Sequence, residues 1–254
     1  MTDRLDILQE ERVAAGGVTR YELGNWAGAF GVVAGVTGSD DTFDLGLASR
    51  DANGAVLERW RTLTGALGDG FHSLVVSRQV HGTSLDVVGS LPSGLLIRDG
   101  FDGHLTAAAG VVLSVSVADC IPIYLVEPGS GCLALLHAGW RGVANGILEK
   151  GAEQLADLSE APVSDIVMHC GVGICGECYE VGPEVLDAVL GVTVPGAAKL
   201  DLRRALASRA RALGIQRVSV SNHCTAHDVG RFYSHRASGG TAGRMMAYLG
   251  RPMG

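Results

Sequence analysis

The chain has 254 residues, 47% hydrophobic and 19% charged, so it is long enough to bury a real core as one large domain or two small ones. That composition excludes disorder and fibre. The net charge of −7, from 20 Lys+Arg against 27 Asp+Glu, leaves too little basic surface for a phosphate-reading nucleic-acid binder.

The amino terminus through Gly17 is charged and has no apolar signal region, so a cytoplasmic protein with reduced thiols is expected. No apolar run is long enough to span a membrane. Ala55 to Leu67 reads as a helix, and the β-branched runs Leu74 to Val80 and Val111 to Val117 read as strands. Leu133 to His137, Asp165 to Cys170 and Gln216 to Ser221 are short and nearly continuous, as buried strands are. Gly142 to Leu158 carries Val143, Ile147, Leu148, Leu155 and Leu158 at helical spacing. Gly182-Pro183-Glu184 opens another helix with proline in its first turn, and Asp201 is placed to cap Leu202 to Leu213 before Gly214 ends it. Strands and helices alternate, which gives an α/β or α+β class with a mixed sheet. With no repeat and no Pro/Ser linker, residues 1–254 read as a single domain.

The chain holds 6 Cys and 8 His, a stock of ligand-type side chains that needs an account. Three segments place one such group at the end of a β-rich run: Gln79-Val80-His81-Gly82, Ala118-Asp119-Cys120-Ile121-Pro122 and Leu136-His137-Ala138-Gly139-Trp140-Arg141-Gly142. Strand ends are where open sheets place their sites, so His81, Cys120 and His137 can meet in space. Two imidazoles and a thiolate suit zinc with one position left open. Taken singly, each residue reads more naturally as a turn histidine or an inert core thiol. The adjacent Gly82, Gly139 and Gly142 shift the balance toward a site, because they allow a backbone to approach a ligand closely. A Cys–His hydrolase, with Cys120 as nucleophile and His137 or His81 as base, stays open. Asp119 reads as structural, since strand alternation turns it away from Cys120 unless the chain bends at Pro122.

Cys170, Cys175 and Cys178, with Cys224 further on, formally match a plant-type iron–sulfur spacing. The match is disfavoured because Cys170 ends a strand instead of sitting in a wrapping loop. His223 and His227 read as surface or structural histidines. A multicopper oxidase needs more histidines than these 8, largely as His-x-His pairs, and the chain has none of those pairs.

The segments QVHG, DGHLT, SVADCIPI, LLHAGWRG, GVGICGECYEVG, CTAHDVGRFYSHR and GRMM resemble, in order, the family long called laccase-domain or polyphenol oxidase proteins. Members of that family are described as purine nucleoside phosphorylases with adenosine deaminase and methylthioadenosine phosphorylase activity, and some are given a peptidoglycan-editing role. The resemblance covers residues 28–250 and leaves 1–27 as an amino-terminal extension. It implies an α/β/β/α sandwich of four layers with mixed sheets, akin to the catalytic domain of cytotoxic necrotising factor. It also implies that His81, Cys120 and His137 hold zinc, with copper the lesser choice, and act in catalysis with Arg141. Gln79, Cys178, Tyr179 and Arg236 would line the pocket for a purine nucleoside and phosphate, in a monomer or homodimer without nucleic-acid or membrane partners.

Two departures bear on phosphate. Val32 stands where the family has Arg, and Asp44 stands where it has Asn, with Ala48 replacing a His and Arg50 a candidate to compensate. A lost guanidinium and an added carboxylate both disfavour an anion, so deamination is expected to survive better than phosphorolysis. The alternatives are the Cys–His hydrolase, acting on an amide such as a cell-wall precursor, and a non-catalytic family member that binds without turnover.

Overall fold

The computed structural model describes residues 5–40, 43–47 and 54–254. In chain order the first elements are β1 (Asp6–Ile7), β2 (Glu11–Ala15), β3 (Val18–Glu22), α1 (Gly24–Phe30), β4 (Val33–Thr37), α2 (Ala55–Leu67) and β5 (Ser73–Arg78). There follow β6 (Asp86–Val87), β7 (Gly94–Asp99), β8 (Gly103–Thr106), β9 (Val111–Val117), β10 (Ile121–Glu127), β11 (Cys132–Ala138), α3 (Trp140–Ala144) and α4 (Ile147–Ser159). The chain finishes with β12 (Val167–Cys170), β13 (Glu180–Val181), α5 (Pro183–Leu190), β14 (Ala198–Lys199), α6 (Leu202–Ala212), β15 (Arg217–Val220) and β16 (Met245–Gly250).

Among the described residues the strands build two mixed seven-stranded sheets, ordered β1-β15-β12-β10-β11-β8-β6 and β2-β3-β4-β16-β9-β5-β7, plus the β13-β14 ribbon. The mixed α/β class read from the sequence is the class observed. Alternation along the strands feeds three apolar cores. Ile121, Ile123 and Leu125 of β10 pack with Leu148 and Leu155 of α4 and Leu206 of α6. Tyr124 and Val126 of the same strand turn instead toward Leu113 and Val115 of β9 in the other sheet. Trp60 and Leu63 of α2 cover Leu74 and Val76 of β5 on that sheet's far face.

Several elements differ from expectation for identifiable reasons. The helix expected over Gly142 to Leu158 is two helices, because Gly146 takes φ 80° and starts α4 afresh. Ala55–Leu67 and the start of α5 match, and Asp201 caps α6 by accepting from the Arg204 N–H at 3.1 Å. Asp165 belongs to a short 3-10 turn before β12. The first 27 residues contribute β1 to the first sheet and β2 and β3 to the second. Among the described residues no helix is long and apolar enough to cross a membrane.

A buried polar cluster ties the amino-terminal segment to the first sheet. Glu10, 3% exposed, receives Ser221 Oγ at 2.7 Å and pairs with His169 Nε2 at 3.1 Å. Burial works against its charge, yet the bonds from His169 and Ser221 hold its carboxyl below the usual glutamate value. A carboxyl depressed by folding adds stability above its unfolded pKa of about 4.3 and loses it as pH falls through the folded value. Glu10→Gln is therefore expected to cost about 1.5–3 kcal/mol at neutral pH. That deficit should shrink on acidification in urea denaturation series; a pH-independent deficit would contradict the linkage.

Candidate metal and substrate site

His81, Cys120 and His137 converge because of how the chain passes between the sheets. Strand β5 runs parallel to β9 in the second sheet, in the register Leu74↔Val112, so both end on the same side. After β9 the chain crosses at Ala118–Cys120 to start β10 in the first sheet. Strand β11 returns antiparallel to β10, with Ile121 opposite Ala138 and Pro122 opposite His137. The turn after β5, the crossing and the end of β11 therefore share one edge. There the ligand atoms of His81, Cys120 and His137 lie within 4.8 Å of one another.

Local backbone strain places two of them. His81 has φ 59° and Asp119 has φ 92°, both left-handed, where a non-glycine residue persists only if its surroundings hold it. What holds the first turn is Asp102, fully buried just before β8. Its carboxylate accepts from the backbone N–H of Val80 at 3.2 Å, His81 at 2.9 Å and Gly82 at 2.7 Å. It also accepts from His137 Nδ1 at 3.0 Å, which leaves Nε2 of that ring directed to the site. Burial opposes the charge on Asp102, but the His137 bond and the turn N–H groups hold it below the ordinary aspartate range. One carboxylate thus sets both imidazoles. The aspartate was visible only as the first letter of DGHLT, and its role depends on β8 lying beside β11.

Asp119 is structural, as expected, but through its left-handed turn and not through strand alternation. Its carboxylate accepts from Thr225 Oγ1 at 2.6 Å and from the Arg236 N–H at 2.7 Å. Next to it, Cys120 is half-buried. Burial pushes its thiol up, but the neighbouring His137 and His81 bring it down to about 6. Burial likewise disfavours charge on His137, and the Cys120 and Asp102 charges raise it to about 9. Gly139 keeps the room open: a Cβ there would stand 3.0 Å from Cys120 Sγ and 3.1 Å from His81 Cδ2. Two imidazoles and a thiolate at this spacing fit a borderline-soft ion such as zinc or copper.

The triad opens into a cleft of about 1060 Å³. Arg141 lines it with its guanidinium 4.3 Å over the Trp140 ring, and Arg236 does so 5.1 Å over the ring of Tyr179. Gln79 also lines it, but both ends of its amide are engaged with the Ser116 backbone, donating at 3.0 Å and accepting at 2.6 Å. Gln79 is thereby a clamp between β5 and β9. Asp44 lies in the cleft wall, where its carboxylate accepts from the N–H groups of Gly46 and Arg244. Val32, by contrast, is buried in the core between the sheets and does not line the cleft. The departure at that position bears on packing, not on an anion. Arg50 and Ala48 lie outside the described residues. His235 and Arg244 also line the cleft and were not singled out, although both sit inside the motifs FYSHR and GRMM.

Cys178 is not a cleft residue. Its sulfur lies instead with Cys175, Cys224 and His227, whose ligand atoms all fall within 4.8 Å of one another. His227 is therefore not a solitary surface histidine. Cys170 is apart from this group, fully buried in β12, where burial pushes its thiol up to about 12. His223 is buried beside the rings of Tyr21 and Phe232.

The family described as multi-copper polyphenol oxidoreductase laccase matches residues 28–252. The chain is 34% identical over 273 residues to a purine nucleoside phosphorylase, YlmD, of Geobacillus stearothermophilus, covering 97% of each chain. It is 33% identical to an adenosine deaminase, RL5, of an unknown prokaryotic organism, over 74% of this chain and 79% of that one. The crystal structure of YlmD from Geobacillus stearothermophilus superposes with a TM-score of 0.85 at 33% identity, covering 97% of this chain and 99% of that one. A match across nearly the whole chain, in sequence and in fold, makes this protein a member of the multi-copper polyphenol oxidoreductase laccase family.

Proposed function

We propose that the chain is a zinc-dependent purine nucleoside enzyme whose metal is held by His81, Cys120 and His137. The observation that carries this reading is the convergence of those three donors at a cleft lined by Arg141, Arg236 and Tyr179, in a chain whose relatives are named for purine nucleoside phosphorolysis and adenosine deamination. Zinc bound there would supply Lewis-acid chemistry at the reacting oxygen.

The chain's own residues do the rest. Asp102 holds His137 in one tautomer and keeps His81 in its strained turn, so neither ring must reorganise when substrate arrives. Arg141 and Arg236 reach the cleft as cations braced on aromatic faces, suited to a ribose oxygen or a phosphate. Tyr179 offers a flat surface to a purine. Asp44 places a negative charge in the same wall and disfavours a second anion, so adenosine deamination outruns phosphorolysis.

A nucleoside panel run with and without phosphate, alongside elemental analysis, tests the reading. Inosine formation from adenosine that needs no phosphate is the expected result. Brisk phosphate-dependent adenine release without inosine would reverse the ranking of the two reactions. No turnover of any nucleoside by metal-replete protein would overturn the reading altogether. The second reading, a Cys120 hydrolase, draws on the lowered thiol of Cys120 beside the raised His137. It requires activity that survives chelators and dies on thiol alkylation.

A further inference from the structure

We propose that Cys175, Cys178, Cys224 and His227 form a second zinc site, structural in character and separate from the His81–Cys120–His137 triad. Three thiolates and an imidazole make a closed four-ligand set, the kind that holds zinc with no position left for water. With a zinc–sulfur bond of about 2.3 Å, two sulfurs on one tetrahedral ion stand about 3.8 Å apart. The four ligand atoms already lie within 4.8 Å of one another, with Cys178 Sγ 3.1 Å from His227 Nε2 and Cys175 Sγ 3.9 Å from the Nδ1 of the same ring. All six cysteines are free, so no disulfide consumes these thiols.

The sequence supplies the donors as two short pairs, Cys175-x-x-Cys178 and Cys224-x-x-His227. Each pair is folded into a tight turn. The N–H groups of Cys178 and Tyr179 both donate to the Cys175 carbonyl at 3.1 Å, and the Asp228 N–H donates to the Cys224 carbonyl at 2.9 Å. The two turns follow β12 and β15, which are parallel neighbours, and they stay paired beyond the strands through a bridge between Gly173 and Cys224. The Cys175 N–H donates to Cys224 Sγ at 3.3 Å, an interaction that favours the thiolate a metal needs. At Gly176, inside the first turn, a Cβ would stand 2.8 Å from Asp201 Cβ, so the turn sits tightly against the start of α6.

The placement gives the site a purpose. Tyr179 follows Cys178 directly and lines the cleft. Thr225 follows Cys224 and donates to Asp119, while the Ile174 N–H donates to the Asp119 carbonyl at 2.9 Å. A metal joining the two turns therefore fixes one cleft wall and braces the strained turn that presents Cys120.

Metal analysis of the purified full chain tests this without reference to turnover. The wild type is expected to hold zinc at both groups, C175S/C178S to lose one equivalent and keep the other, and C120A to lose the other instead. Cobalt substitution should show strong thiolate-to-metal absorption that largely survives C120A, whereas C175S/C178S should retain only the weaker band of the single Cys120 thiolate. Should the double variant fail to fold, the pair H227C and H227A decides. The first, with four thiolates, should retain the equivalent, and the second should release it to a chelator faster than wild type. Zinc content unchanged in C175S/C178S, iron with acid-labile sulfide at this group, or a wild-type mass short by two hydrogens from a disulfide would each overturn the proposal. A single equivalent lost only in C175S/C178S would leave this site standing and remove the triad.

Discussion

Replacing Cys120 by alanine is expected to abolish tight metal binding at the triad and lower nucleoside turnover by at least about 10²-fold. The argument is one of donor count. His81 and His137 alone leave two ligands on a site whose third wall is the open cleft, and two imidazoles retain zinc poorly. Compared in the metal-free state, the fold should barely register the change, whereas the metal-loaded wild type gains a native-state stabilisation that the variant lacks. Cys120 is half-buried at a turn, so its loss falls among substitutions worth less than about 1 kcal/mol. Elemental analysis, turnover and urea denaturation on the same preparation separate these effects. Both the metal enzyme and the thiol hydrolase lose activity with this variant, but only the metal enzyme also loses an equivalent of zinc. Unchanged zinc content would remove Cys120 from the ligand set.

The second large effect is expected at Asp102. Truncation to alanine leaves three turn N–H groups and the His137 Nδ1 donor facing a buried void. Breaking a buried charged pair while orphaning its partners costs on the order of 3–5 kcal/mol. Asp102→Asn is the more informative variant because it keeps the shape. Its amide oxygen can accept from part of the turn, but its NH2 opposes a donor wherever it points. Metal affinity is expected to fall about 10–100-fold, the usual cost of losing a partner that orients a ligand. A calorimetric metal titration of D102N showing wild-type affinity would reduce Asp102 to a purely structural group.

How much of this was legible in the sequence differs from element to element. Val111–Val117 could be read because its β-branched run has no competing period. Strand β10 was missed although every residue of it is buried, because Pro122 reads as a bend. The proline is tolerated near the start of the strand, and its carbonyl still accepts from the Gly171 N–H at 2.9 Å. Met245–Gly250 lies at the centre of the second sheet, between β4 and β9, yet this six-residue run, with two Met, no β-branched residue and a closing Gly, carries little strand signal by itself. Its assignment depends on neighbours far away in the chain. The triad was legible as three strand-end donors, and the order of the motifs pointed the same way. Asp102 was not, because a lone aspartate before a strand carries no mark of the turn it will satisfy. The four-ligand group was obscured by reading Cys170 into its spacing. Grouped as Cys-x-x-Cys and Cys-x-x-His, the same residues point to one ion.

The passage of the chain from one sheet to the other at Ala118–Cys120 also sets the order of assembly. His81 follows a strand of the second sheet, His137 ends a strand of the first, and Cys120 sits on the crossing between them. The donor set therefore does not exist until the two sheets have docked, late among contacts so distant in sequence. A metal at the triad binds the native state alone, so it slows unfolding and leaves the rate of folding unchanged.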